Sequence, residues 1–255
     1  MAGYVEQGPV LLNELVGPDI WRMIAELPKT AQEVRPGQFV HVKPKPTTLM
    51  LRRPLSVSDA DPGAGTIELI YRVVGTGTAA MAAMKKGDIL DSLGPLGDIL
   101  FLLKEGKIHR RRGGRGRLPR LLFLARRVKG GRMTAVIGGR NREEIFWKDL
   151  FPRDTRVIVT TDDGSFGIKG FAVSVLPGLL QEPGIGETAV CGPEILMKKT
   201  AEIAARAGIY CEVSMERRMG CGTGGCLACV CGRAGGGHYK VCLDGPVFDA
   251  SEVIL

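Results

Sequence analysis

Long apolar runs are missing from this 255-residue chain. No stretch reaches the roughly 20 unbroken apolar residues that a membrane-spanning helix needs. The N-terminus, Met1 to Glu6, also lacks the basic-then-apolar pattern of an export signal. A cytoplasmic protein without a membrane span is therefore expected. Aromatic residues are scarce at 5%, and only 3 histidines are present. His41, His109 and His238 are scattered, without the pairing that histidine metal sites require, and none is read as a ligand. A diffuse basic face is absent too, despite the formal charge of +8. The excess sits in six arginines from Arg110 to Arg120, with no aromatics interleaved, which disfavours a nucleic-acid partner. With 44% hydrophobic and 24% charged residues, the chain reads as globular rather than disordered.

Cysteine is what the sequence does have. Five of its 7 cysteines (Cys221, Cys226, Cys229, Cys231 and Cys242) fall near the C-terminus. Without an export signal, such a cluster points to metal before disulfides. Cys221, Cys226, Cys229 and Cys242 follow C-x4-C-x2-C…C, the spacing of plant-type [2Fe–2S] ligation. Two bridged irons need four thiolates converging on a small volume. Gly220, Gly222, Gly224 and Gly225 let a backbone wrap such a group and aim N–H donors at its sulfurs. A four-cysteine zinc site is the alternative, but zinc knuckles favour repeated C-x2-C pairs, and Cys226/Cys229 is the one pair so spaced. Cys231 is a spare thiol, packed beside the loop or able to substitute. Cys211 reads as core, and Cys191 is either core or near a nicotinamide.

Residues 1–100 read as short strands: Gly37 to Val42, and in part Thr66 to Val74, alternate apolar and polar side chains between proline and glycine punctuation. They suggest a small antiparallel barrel or sandwich. Residues 101–210 change character. The strands 133–137, 156–160 and 188–191 each end in a glycine-containing loop. Helices follow over 142–150, 171–180 and 194–207. That repeat implies right-handed crossovers, a Rossmann-like parallel sheet, and ligands at the carboxyl ends of its strands. Residues 211–255 are too few to build much of a core, so a metal centre would supply their cohesion.

Arg53-Pro54-Leu55-Ser56 and Gly75-Thr76-Gly77-Thr78 form the second signal. An arginine beside a rigid proline can neutralise a pyrophosphate, and glycines let amides approach a phosphate. Taken together, R-P-L-S, I-Y-R-V-V-G-T-G-T, G-P-L-G, C-G-P and the cysteine block resemble the ferredoxin–NADP reductase superfamily. More narrowly, E-R-R-M-G-C-G-T-G-G-C-L-A-C-V-C and Y-K-V-C-L-D-G-P-V-F-D-A resemble electron-transfer subunits of NAD-dependent dihydroorotate dehydrogenase, type B. The likeness runs from about Gly37 to Asp249 with one interruption.

The resemblance implies FAD in the barrel, held by Arg53, Pro54, Leu55, Ser56, Ile70, Tyr71, Arg72, Gly77 and Thr78. It implies NAD(H) at Gly138-Gly139-Arg140, Asp162 or Asp163, and Cys191-Gly192-Pro193, with [2Fe–2S] on Cys221, Cys226, Cys229 and Cys242. It also implies a partner, an FMN-containing catalytic subunit that oxidises dihydroorotate in pyrimidine (UMP) synthesis, with two copies of each subunit. Electrons would pass from FMN to the cluster, to FAD, and to NAD+ as hydride; no side chain need act as acid or base. Two alternatives stay open: a related flavin/iron–sulfur NAD(P)H:ferredoxin oxidoreductase or sulfide dehydrogenase subunit, and a non-enzymatic zinc-binding, basic nucleic-acid module.

The interruption is Ile108 to Arg120, where the family has an apolar strand and a loop of the type L-L-V-G-G-G-x-G-x-A-P. An arginine run in a buried parallel strand carries several kcal/mol of desolvation per unpaired charge. A compensated frameshift explains it: codons for Arg-Arg-Arg-Gly-Gly can, read one base later, give Val-Gly-Gly-Gly. A solvated basic loop and a nucleic-acid patch are the rival readings. Resequencing the gene is expected to reveal a pair of offsetting single-base changes flanking this segment; unambiguous arginine codons throughout would end the hypothesis.

Overall fold

Alternating side chains close the first hundred residues into a barrel. The computed structural model describes residues 3–45, 49–98, 101, 118–128 and 133–255, and the backbone of 108–113. It divides into two compact units: Met1–Leu100 with Glu216–Cys231 and Tyr239–Pro246, and Phe101–Met215 with Gly232–His238 and Val247–Leu255.

In the first unit, strands β1 (Tyr4–Gly17), β2 (Ile20–Glu26), β3 (Phe39–Lys43), β4 (Arg53–Asp61), β5 (Thr66–Arg72) and β6 (Ile89–Leu96) form a closed barrel in the order β1-β2-β5-β4-β3-β6. All six pairings are antiparallel. Val10, Met23, Val40, Val42, Val57, Leu69 and Leu90 are fully buried and supply its apolar filling. Helix α1 (Pro28–Glu33) takes its N-terminal cap from a distant carboxylate. The N–H groups of Lys29 and Thr30 each donate to Glu6 at 2.9 Å, which satisfies orphan donors and places negative charge at the positive end of the helix.

Helix α2 (Thr76–Ala82) is fixed at its other end. The Asn13 amide of β1 donates to the carbonyls of Met81, Ala82 and Met84 at 2.9, 3.2 and 2.9 Å, and its oxygen accepts from the Tyr71 hydroxyl at 3.1 Å. One side chain thus ties β1, β5 and the end of α2 together.

The second unit is the expected parallel sheet. Its elements are β7 (Ile108–Gly113), α3 (Pro119–Ala125), β8 (Met133–Gly139), a 3-10 helix (Arg142–Leu150), β9 (Arg156–Thr161), β10 (Ile168–Lys169), α4 (Leu176–Leu180), β11 (Ile185–Cys191), α5 (Glu194–Arg206) and β12 (Tyr210–Ser214). Further along, β13 (Val230–Gly232) and β14 (His238–Lys240) make a separate two-stranded sheet, and β15 (Val247–Asp249) returns to the large one. The order is β10-β9-β8-β7-β11-β12-β15, parallel except for β15, which lies antiparallel to β12.

Two expectations need adjustment. The helix expected over 171–180 is only α4, because Pro177 lacks an N–H and suits a first helical turn rather than an interior. The block 211–255 contributes residues to both compact units. Its expected start falls inside β12, and it has too few apolar residues to enclose a core.

The second concerns the arginines. The solvated-loop reading is overturned for Arg110 to Arg112, whose backbone forms β7 in the middle of the sheet, between β8 and β11. Its neighbours are apolar in the manner of doubly covered strands: Ala135, Val136 and Ile137 in β8, and Ala189 and Val190 in β11, are buried. A charged run at this position gives the frameshift hypothesis a structural reason. Gly114 to Arg117 lie outside the described residues. Arg120, the last arginine of the run, is buried, and its Nη1 donates to Ser214 Oγ at 2.7 Å and to the Met215 carbonyl at 3.1 Å.

Asn13→Ala is expected to lower unfolding stability by about 2–4 kcal/mol, since three carbonyls and one hydroxyl lose their partner. Tyr71→Phe, which removes one neutral hydrogen bond, is expected to lose about 1 kcal/mol. Urea titration of the two variants checks the ranking.

Candidate cofactor sites

The loop 220–226 is shaped by glycine. Gly222 and Gly224 have φ of +76° and +82°, a region that side-chain-bearing residues rarely adopt. A Cβ at Gly224 would come within 2.9 Å of Leu243, and one at Gly222 within 2.8 Å of the His41 ring. Backbone donors turn toward sulfur as a result. Thr223 N–H points to Cys221 Sγ at 3.4 Å, Gly224 N–H to Cys242 Sγ at 3.2 Å, and Cys242 N–H to Cys229 Sγ at 3.4 Å.

All four predicted ligands are brought to this loop, and they meet two by two. Cys221 lies beside Cys226, and Cys229 beside Cys242, close enough for each pair to alter its thiols' acidity. Among the described residues, no three His, Cys, Asp or Glu side chains gather around one point. Two pairs suit a two-iron cluster, in which each iron takes two thiolates, better than a tetrahedral zinc cage. None of the seven cysteines forms a disulfide.

The thiols differ in acidity. Burial opposes ionisation of Cys221, but hydrogen bonds from Thr223 and Cys226 outweigh it and bring the thiol down to about 6. Burial, then the contact with Cys229, pushes Cys242 up to about 12. Metal binding would therefore have to expel a proton from the inner pair. Cys231 is buried nearby with its thiol raised, chiefly by burial, and Cys211 is likewise pushed up to about 12 in β12, as a core residue would be.

The two flavin motifs also converge. Arg53 to Ser56 form a half-buried row at the start of β4. A Cβ on Gly77 would collide with the Arg53 guanidinium, so that side chain lies directly on the Gly-Thr-Gly-Thr backbone. Thr78 folds back: its hydroxyl accepts from the N–H groups of Val74 and Gly75 and donates to the Gly75 carbonyl. Arg72 carries a buried Nε–H with no protein partner. An unmet guanidinium donor and a side-chain-free approach beside a second arginine fit the pyrophosphate of a dinucleotide. Ile70 and Tyr71 are buried in the barrel and the Tyr71 hydroxyl is committed to Asn13, so their backbone is what is left to face a ligand.

Gly138 to Arg140, Asp162 with Asp163, and Cys191 to Pro193 all fall at the carboxyl ends of parallel strands, as expected. Gly138 is closely covered, since a Cβ there would lie 2.8 Å from Ala172. Asp163 accepts from the Ser165 hydroxyl and N–H at 2.6 and 2.9 Å, which holds its carboxyl below the usual range.

Asn13, Arg72 as an unpaired donor and His41 beside the cysteine loop carry more than the sequence suggested. The available signal was a polar residue interrupting an apolar run, as in Leu-Leu-Asn-Glu-Leu and Phe-Val-His-Val. Gly224→Ala is expected to reduce bound iron several-fold, through backbone strain and the Leu243 contact. Gly225→Ala, with open space around its Cβ, is expected to leave iron near the wild-type amount. Iron assays on matched reconstitutions compare them.

Known proteins resemble this chain over nearly its full length. Residues 216–254 match the iron-sulfur cluster binding domain of dihydroorotate dehydrogenase B, and residues 7–101 match the oxidoreductase FAD-binding domain. The dihydroorotate dehydrogenase B (NAD(+)) electron transfer subunit of Caldanaerobacter subterraneus subsp. tengcongensis is 36% identical over 252 residues, covering 96% of this chain and 97% of the relative. That of Geobacillus kaustophilus is 39% identical, covering 89% and 90%. A chain of the NADH-dependent reduced ferredoxin-NADP oxidoreductase superposes with a TM-score of 0.86 at 28% identity, covering 97% of this chain and 89% of that one. A ferredoxin NADP+ reductase from Neisseria gonorrhoeae with bound FAD and NADP shares the fold, with a TM-score of 0.64 at 18% identity, covering 84% and 94%. Paired thiols on a glycine loop, a barrel with a cradle for pyrophosphate, and these full-length relatives place the chain in the family of dihydroorotate dehydrogenase B electron transfer subunits.

Proposed function

We propose that this chain passes electrons between an FMN-containing dihydroorotate dehydrogenase catalytic subunit and NAD+, serving pyrimidine synthesis in the cytoplasm. The observation that carries the reading is the pairing of Cys221 with Cys226 and of Cys229 with Cys242 under backbone N–H donors. With both groups bound, a flavin that exchanges one or two electrons can join a one-electron cluster to a two-electron hydride carrier. The chain's own residues bind, space and tune. The four cysteines would hold the cluster; Arg53 and Arg72 would neutralise the FAD pyrophosphate; the Gly75 to Thr78 backbone would admit it; the Ser56 hydroxyl would bond the flavin. NAD(H) would bind at the strand ends 138–140, 162–163 and 191–193.

A catalytic partner must approach the cluster. Cys226 is exposed, and Leu227 beside it is 60% exposed with φ +57°. This apolar tip next to a ligand suits an electron-transfer contact with the catalytic subunit, in an assembly of two copies of each chain. The reductase reading with another electron acceptor draws on the 28% identical ferredoxin-NADP oxidoreductase chain. Co-purification with an FMN-containing subunit separates the two.

Anaerobic purification is expected to give a coloured protein with two irons, two sulfides and one FAD per chain. Cys229→Ser is expected to lose most of the iron and keep the flavin. A colourless, zinc-loaded wild type would overturn the reading. Leu227→Asp is expected to retain iron but weaken co-purification with the catalytic subunit at least several-fold; unchanged association would remove this surface from the interface.

A further inference from the structure

His41 has no role in the function proposed above, yet its placement is unusual. It lies on β3, in register with Pro54 of β4 and Leu93 of β6, and is fully buried. Pro54 belongs to the segment assigned to FAD, and strand pairing puts both residues on the same face of the sheet. The ring is tilted against Phe39 at 5.8 Å between centroids. Its far end meets the cysteine loop: a Cβ on Gly222 would lie 2.8 Å from Cε1, 2.9 Å from Nδ1 and 3.1 Å from Nε2. Gly222 adjoins Cys221.

Both ring nitrogens are buried, and neither has a hydrogen-bond partner in the polypeptide. Burial first, and Arg52 second, push the imidazole down to about 4, so at neutral pH the ring is uncharged and presents one N–H and one lone pair. The nearby Arg52 guanidinium does not answer either nitrogen; its Nη1 donates to the His41 and Asp91 carbonyls at 3.2 and 3.3 Å. An unmet buried polar group is destabilising, and in native proteins such groups almost always have a partner. A non-polypeptide acceptor beside Gly222 would supply one.

We infer that the His41 N–H donates a hydrogen bond to a sulfur of the cluster held by the neighbouring loop, and that His41 thereby sets the cluster's reduction potential. This rests on the assignment of Cys221, Cys226, Cys229 and Cys242 as ligands. The direction follows from charge: a reduced cluster is more negative, so a donor to its sulfurs favours reduction and raises the potential. His41 is not a ligand in this scheme, since four thiolates already complete the two irons.

The test uses the full chain, reconstituted with iron, sulfide and FAD, and follows the reduced cluster by electron paramagnetic resonance during a redox titration. His41→Leu keeps bulk and removes the donor. It is expected to lower the midpoint by a tenfold change in the oxidised-to-reduced ratio, about 59 mV for a one-electron couple. His41→Asn, which keeps an N–H, is expected to recover part of the shift, as a purely packing role would not. Wild-type protein labelled with 15N-histidine is expected to show a weak nitrogen coupling to the reduced cluster, independent of whether any variant folds. An iron-loaded wild type without that coupling, or a fully loaded His41→Leu chain with an unchanged midpoint, overturns the inference while leaving the ligand assignment intact. A wild type that binds no iron overturns both.

Discussion

Four sulfurs can be gathered in a short loop only if the backbone between them gives up its side chains. That constraint governs the cysteine-bearing block near the C-terminus of this protein. Gly222 and Gly224 adopt positive φ, and each leaves no room for a Cβ, against His41 and Leu243 respectively. The N–H of Gly224 reaches a cysteine eighteen positions later in sequence. The segment contributes little apolar burial, so its geometry depends on N–H to sulfur contacts and, when loaded, on metal–thiolate bonds.

The barrel meets a related demand by different means. A dinucleotide needs concentrated positive charge and close backbone approach, and the chain supplies both by laying Arg53 on Gly77. The cost is a guanidinium pressed against a short helix start, offset by anchoring that helix elsewhere. Asn13 and Tyr71 fix its far end, and Thr78 fixes its beginning. Rigidity around the arginine thus comes from neutral hydrogen bonds in the barrel wall, which do not compete for the ligand's charge.

Much of this was legible in the sequence, because the relevant signals are local. Cysteine spacing announces a two-iron cluster, alternation announces the barrel strands, and strand–glycine–helix repeats announce the parallel sheet. Contacts between distant segments were not legible. Nothing in Phe-Val-His-Val says that the histidine ring will end at Gly222, 181 positions on. Likewise Leu-Leu-Asn-Glu-Leu does not reveal that its asparagine caps a helix near residue 82. The arginines of β7 are a different case. The resemblance placed an apolar strand where the charges stand, and the backbone takes that central strand position, paired on both sides.

Chain order around β15 has a further bearing on durability. After β12 the polypeptide leaves the parallel sheet, supplies every proposed cluster ligand to the first unit, and returns to lie antiparallel against β12 at the sheet's edge. The metal-bearing stretch is accordingly an insertion strung between neighbouring strands, and cannot be clipped off like a tail. Proteolysis within it, or oxidative collapse of its thiols, would free β15 and uncover the polar edge of β12, a surface prone to recruit other strands. Damage at the redox centre would then surface as aggregation of the parallel-sheet unit.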